Sequence, residues 1–292
     1  MSSQMTDNRR GILFMVIAMA TMLSSDAVVK TVATELPLFQ IIFIRHVLMT
    51  AGLAYLVYRD GAYRCRPNKR DARLIGQRCL GEVLIICFYA TALTLMPLGE
   101  ATAIVQLQPL AVTLAAVVFL GQPIGARRLL AIAVGFGGVL LIVRPGSEAF
   151  SPAALLVLAA VASVCLRDIS TRLLGPTIPA TLLAALGSAA LLLVSLGLML
   201  AQGGWQPVTL AQLGLISLGA AALLAGYLAM VHAMRLGEMA VISPFRYVSL
   251  VIGIVIGAVF FGESPEIWTL LGGAIIVASG IYTFLREAQA KA

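Results

Sequence analysis

Charge is what this 292-residue sequence has least of: Asp, Glu, Lys and Arg make up 11% of it, against about a quarter in an ordinary soluble domain. With 60% hydrophobic residues and a mean hydropathy of +0.99, the chain is too apolar for a water-soluble globule of this length. The four cysteines, Cys65, Cys79, Cys87 and Cys165, imply neither a disulfide framework nor a zinc site. The two histidines, His46 and His232, stand alone in their segments, whereas metalloprotease chemistry needs a helical pair with a glutamate. Neither a nucleophile elbow nor a phosphate-cradling G-x-x-x-x-G-K-[ST] is present, so ATP-driven pumping by this chain is excluded. The chain is expected to be no enzyme and to need no metal or cofactor.

Long apolar runs are abundant. A spanning helix needs about 20 mostly apolar residues, and ten such runs can be marked: 12–29, 37–58, 74–95, 98–120, 129–143, 152–174, 178–201, 210–234, 239–261 and 265–285. The fifth is short and is expected to start nearer position 124. Helices are required, because lipid offers backbone groups no partner and runs this continuous are not period-two strands. Arg9-Arg10 before the first run suggests a signal peptide, but the run continues to Val29, longer than a signal core. It reads as the first spanning helix.

Lys and Arg set the orientation. Lys30 and Arg144 fall on one side, Arg45 and Arg246 fall inside spans, and all the others of the 20 fall on the opposite side. The positive-inside rule then places both termini in the cytoplasm. The net charge of +7 follows from this topology. The longest basic stretch, 59–73, is one loop that also contains Asp60 and Asp71, suited to anionic lipid headgroups and not to nucleic acid.

The chain also repeats itself. Tyr89-Ala-Thr-Ala-Leu-Thr-Leu-Met-Pro-Leu-Gly-Glu100 matches Tyr227-Leu-Ala-Met-Val-His-Ala-Met-Arg-Leu-Gly-Glu238 at a spacing of 138. Gly121 then falls on Gly262, and Leu129-Leu130 on Leu270-Leu271, at 141. Residues 1–146 and 147–292 therefore read as two copies of one unit. Five helices per copy is an odd number, so the second copy enters the membrane inverted, as in transporters whose halves rock about a central site. The expected fold is an all-α polytopic membrane protein of ten transmembrane helices in two inverted five-helix repeats.

These features resemble the drug/metabolite transporter superfamily, specifically its ten-helix EamA type, over the whole chain. Pro109 and Pro244 lie in the fourth helix of each unit, and Gly262-Glu263 closes that helix in the second. The first unit departs from the pattern, with Gly121-Gln122. Within the superfamily the chain looks most like bacterial exporters of amino acids and other metabolites. The resemblance implies a central cavity lined by helices one to four and six to nine, with helices five and ten as peripheral support.

Charges inside spans are costly and mark functional candidates. At 1.5 Å per residue, Asp26 and Arg45 lie about 18–21 Å above the cytoplasmic edge, and Glu82 and Arg246 about 12 Å above it. They could grip a zwitterion, the arginine taking a carboxylate and the acid an ammonium, or pair off as structural ion pairs. Polar candidates are Ser24, His46, Tyr89, Gln106, Gln108, Ser163, Tyr227, Ser243 and Tyr247, several of which could instead bridge helices. Pro109 and Pro244 each remove a backbone donor and are candidate hinges. Glu100 and Glu238 begin the fourth and ninth helices, suiting the helix dipole as caps or acting as gates. Gly253 and Gly257 offer a close-packing face.

The expected function is export of small polar metabolites, amino acids foremost, by alternating access in a bacterial inner membrane. The expected partners are the small-molecule substrate and the lipid bilayer. Organic cations or drugs, and nucleoside- or vitamin-like metabolites, are the alternatives.

Overall fold

The computed structural model describes residues 2–121, 125–146, 150–174, 178–236 and 242–291, with side chains withheld at 2–8, 128, 234–236, 243, 284 and 286–291. The helices are α1 (Ser2–Val32), α2 (Leu38–Arg59), α3 (Lys69–Leu95), α4 (Leu98–Val105), α5 (Gln108–Leu120), α6 (Ala126–Val143), α7 (Ala153–Leu173), α8 (Ala180–Ala201), α9 (Leu210–Leu236), α10 (Val248–Phe261) and α11 (Ile267–Lys291), with 3-10 turns at Ala62–Arg64 and Ser243–Tyr247. No strand occurs among the described residues. Among the described residues, eight segments are long and apolar enough to cross a membrane, α4 and α5 counting together as Leu98–Leu120. The apolar parts of α6 and α11, Leu129–Val143 and Ile267–Thr283, are shorter than the rest.

Helix ends follow local chemistry. Proline, whose missing N–H costs nothing where a helix begins, stands immediately before α2, α4 and α8 as Pro37, Pro97 and Pro179. Gly121 and Gly262 close α5 and α10 in the left-handed region, at φ 64° and 63°. A side chain there would be strained, so the repeated glycine marks one stop used twice.

The packing joins the two copies throughout. α1 packs on α9, α3 on α7, α2 on α8, α4 on α10, and α6 on α11. Exchanging the copies maps α1–α9 onto α7–α3 and leaves each other pair in place. Small residues make these approaches possible, because backbones close up where no Cβ intervenes. A β-carbon on Gly81 of α3 would lie 2.9 Å from the Arg167 nitrogen of α7. Its repeat counterpart, Gly219 of α9, faces Ser25 and Val28 of α1. Gly253 seats against Thr102, and Gly257 beside Glu263, so the G-x-x-x-G of α10 is a close-packing face. Gly138 and Gly272 bring α6 and α11 together, where Ser279 Oγ also donates to the Ala131 carbonyl.

The fourth and ninth segments are interrupted. α4 stops at Val105, Gln106 and Leu107 form a turn, and α5 restarts with Pro109 in its first turn. The ninth begins as the 3-10 stretch that contains Pro244 and becomes α-helical only at Val248. Both interruptions lie beside the site described next.

Candidate functional site

A cavity of about 280 Å³ lies where α1, α3, α4–α5, α7, α9 and the 3-10 entry to α10 meet. Both copies build it. The second and seventh spans, α2 and α8, supply none of its walls, contrary to expectation, because they face each other through His46 Nδ1 and Ser188 Oγ at 3.1 Å and Thr50 Oγ1 and Ser188 Oγ at 2.7 Å. α6 and α11 are peripheral, as expected.

One end of the cavity is acidic. Asp26 of α1 lies in the wall, with Tyr89 of α3 in hydrogen-bonding reach and Thr102 of α4 beside Tyr89. Behind it, Arg45 is buried at 3% exposure and sets Nη1 3.9 Å from Asp26 Oδ1 and 3.5 Å from Ser25 Oγ. At 3.9 Å the pair attracts without forming a hydrogen bond, so the carboxylate keeps lone pairs free for the cavity. Arg45 supports Asp26 and does not itself line the site.

The other end is basic. Arg246, in the 3-10 stretch, lines the wall and makes no ion pair within 4 Å among the described residues; its charged neighbours are Asp168 and Arg167. Arg167 of α7 lines the wall too. Its Nε donates to Asp168 Oδ1 at 2.8 Å, and its Nη1 lies 3.7 Å from Glu82 Oε2. Glu82 also faces Arg78 at 3.9 Å, and Arg78 donates to the Leu183 carbonyl of α8 at 2.9 Å. The sequence-level pairing of Glu82 with Arg246 is therefore corrected: α3 packs on α7, so Glu82 meets Arg78 of its own helix and Arg167. An arginine held by two acids is largely satisfied, whereas Arg246 is available to an anion.

Between the two ends the interrupted segments touch. Gln106 Nε2 donates to Ser249 Oγ at 2.6 Å and reaches the Tyr247 carbonyl at 3.4 Å. Gln106, Gln108, Pro109 and Tyr247 all reach the cavity. Pro109 has no N–H to return to the Val105 carbonyl one turn back, and Val105 lines the cavity as well. Met22, Ile85, Ile86, Leu223 and Met230 make the intervening wall apolar.

Beyond the acidic end, the copies are latched together. Lys30 Nζ lies 2.7 Å from Glu263 Oε1, donates to the Met96 carbonyl at 2.7 Å and sits over the Phe261 ring at 5.3 Å. Glu263 Oε2 accepts the Leu98 N–H at 2.8 Å. Arg144 pairs with Glu266 nearby. Glu100 lies in the first turn of α4, as the dipole argument expects, but no side chain of α4 caps it; the acid that meets its leading N–H is Glu263, from the other copy. Glu238 and its segment lie outside the described residues.

The remaining candidates stand away from the cavity. Ser24 is exposed and donates to the Ala20 carbonyl, and Ser163 donates to the Ala159 carbonyl. Tyr227 sits with Met49, Leu53 and Leu56 between α2, α8 and α9, its hydroxyl 3.5 Å from the Ala180 carbonyl. The Tyr89–Tyr227 correspondence thus does not make both cavity residues. Pro244 opens the 3-10 stretch outside the walls, and the Ser243 side chain lies outside those described. Arg167 was missed, counted with the loop charges. A second repeat could have found it: Asp26-Ala-Val-Val-Lys30 matches Asp168-Ile-Ser-Thr-Arg172 at a spacing of 142, with Pro37 on Pro179. That places Arg167 against Ser25, at the inner face of the first helix of each copy.

A family model described as the EamA-like transporter family matches residues 9–144 and again 151–285. The pseudopaline exporter CntI of Pseudomonas aeruginosa is 28% identical, covering 94% of this chain and 95% of its own. An S-adenosylmethionine uptake transporter of Rickettsia bellii is 25% identical over 96% and 95%, and a riboflavin transporter of Rhizobium johnstonii is 30% identical over 68% and 66%. A solved crystal structure at 19% identity shares the fold with a TM-score of 0.63, over 97% of this chain and 99% of that one.

Proposed function

The chain belongs to the EamA-like transporter family, and from that premise we propose that it exports small amphoteric metabolites, amino acids and their longer zwitterionic relatives, through the central cavity. The observation that carries this reading is the presence in one cavity built by both copies of an acid, Asp26, and an arginine, Arg246, that makes no ion pair within 4 Å among the described residues. An ammonium suits Asp26 and a carboxylate suits the fork of Arg246. Relatives named for pseudopaline, S-adenosylmethionine and riboflavin agree on small-molecule cargo and differ on which, and in direction.

The mechanism in this reading is alternating access in a bacterial inner membrane, with both termini cytoplasmic by the distribution of Lys and Arg. The Lys30–Glu263 latch then closes the outer side, and opening it requires the copies to part there. The interrupted fourth and ninth segments, tied at Gln106 and Ser249, serve as the joint about which they move.

A vitamin- or nucleoside-like cargo is the second reading, favoured by the amides Gln106 and Gln108 and the rings of Tyr89 and Tyr247 around the same cavity. Organic cations fit poorly beside Arg246 and Arg167. Proteoliposomes presented with amino acids, riboflavin, a nucleoside and a quaternary ammonium, with and without a pH gradient, separate these readings. Saturable flux of the amino acids supports the first, and flux confined to riboflavin or the nucleoside overturns it in favour of the second.

A further inference from the structure

The charged ends of the cavity lie at different levels, and the structure supplies two rulers for the gap. On α3, Glu82 marks the level of the Arg167 guanidinium and Tyr89 that of Asp26, seven residues further along. On the ninth segment, Arg246 marks the basic end, and Gly253, against Thr102 at the acidic end, again stands seven residues on. At 1.5 Å per α-helical residue and about 2 Å per 3-10 residue, the two give about 10 and about 11 Å. Ile85 and Ile86 fill the wall between the two levels on α3.

An α-amino acid cannot span that gap. Its nitrogen and carboxyl carbon are about 2.5 Å apart, so binding at one end leaves the opposite end empty. We propose that the preferred substrate is an elongated amphoteric solute, with an ammonium at one end, a carboxylate or comparable anion about 10 Å away, and a weakly polar middle. The proposal rests on the amphoteric reading of the cavity and adds its length. Asp26 with Tyr89 takes the cation and Arg246 takes the anion. Arg167, already held by Glu82 and Asp168, repels cations from the basic end and so fixes the orientation.

Oligoglycines are a ruler for this, since an extended residue adds about 3.5 Å and three residues span about 10 Å. Binding to the full-length purified protein is measured as the half-saturating concentration for thermal stabilisation by glycine, diglycine, triglycine and hexaglycine, with N-acetyl-triglycine and triglycine amide as capped controls. Triglycine is expected to bind at least tenfold tighter than glycine and than hexaglycine, and each cap to cost about tenfold. Arg246→Gln should abolish the difference between triglycine and its amide while keeping the penalty of N-acetylation; Asp26→Asn should do the reverse. The wild-type series stands without the variants if either fails to fold. Equal affinity at every length, with both caps still costly, overturns the spacing and leaves the amphoteric reading intact. Indifference to both caps, or no binding by any member, overturns both.

Discussion

The ammonium of Lys30 stands 2.7 Å from Glu263 Oε1, joining the end of α1 in the first copy to the loop after α10 in the second. The same carboxylate accepts the first N–H of α4 through its other oxygen, so one acid latches the copies and caps a helix. Its counterpart position in the first copy is Gln122, which carries no charge. The sequence thus offers no carboxylate at the equivalent position of the first copy to repeat this ion pair.

Glu263→Gln should open this end while keeping the cap, because the amide oxygen still accepts from Leu98. A cysteine at Thr102 should react several-fold faster with an impermeant thiol reagent applied from outside. Glu263→Ala should be less stable than Glu263→Gln by about 1–3 kcal/mol, since it strands the Leu98 N–H as well as Lys30. Equal reactivity in wild type and Glu263→Gln would show that the ion pair does not hold the outer side closed.

Arg246→Gln should reduce transport of amphoteric substrates at least tenfold with little change in thermal stability, because the guanidinium makes no ion pair among the described residues. Arg45→Gln should lower stability, since it leaves Asp26 without its cation. The double neutral Asp26→Asn/Arg45→Gln should recover that stability without recovering transport. The corresponding pair at the basic end is Glu82→Gln/Arg167→Gln. Unaltered flux for Arg246→Gln at normal expression would remove it from the site.

Pro109→Ala supplies the missing N–H to Val105, and Gln106→Leu cuts the tie to Ser249. Each should alter the turnover rate more than the half-saturating substrate concentration, since each shifts the balance between conformations rather than the grip on the ligand. A change confined to affinity would place both residues in direct contact with substrate instead of in the joint.

The repeated glycines give a graded test of packing. Gly81→Ala meets backbone at 2.9 Å and should cost about 1–3 kcal/mol in a thermal or denaturant assay. Gly219→Ala meets the Val28 side chain at 3.1 Å, which can give, and should cost less. Gly76→Ala meets nothing within 4 Å and should be neutral or gain up to about 1 kcal/mol from helix propensity. Equal effects at all three would mean that α3–α7 and α1–α9 do not approach as closely as described.

Orientation is tested in a background with its four cysteines replaced by serine. A cysteine at Asn68 should be shielded from an impermeant reagent in intact cells and one at Gly204 should be labelled. Labelling at Asn68 would reverse the topology and place the Lys30–Glu263 latch on the cytoplasmic side.

Eight of the ten expected spans, the two copies, the interruptions at Pro109 and near Pro244, and the cost of placing Asp26, Arg45, Glu82 and Arg246 within apolar spans were legible in the sequence. Hydropathy reports which residues leave water, proline reports where a backbone donor is missing, and the rise per residue converts position into depth. Depth is not direction around the helix axis, and none of these signals says which helix faces which. Only the tertiary packing decided that α3 lies on α7, giving Glu82 to Arg167 and leaving Arg246 to the cavity. It likewise turned α2 toward α8, so that Arg45 stands behind Asp26 and His46 meets Ser188. Glu263 was readable only as the acid after a helix-closing glycine; its contacts with Lys30 and Leu98 exist because two copies, distant in sequence, close on each other at one end.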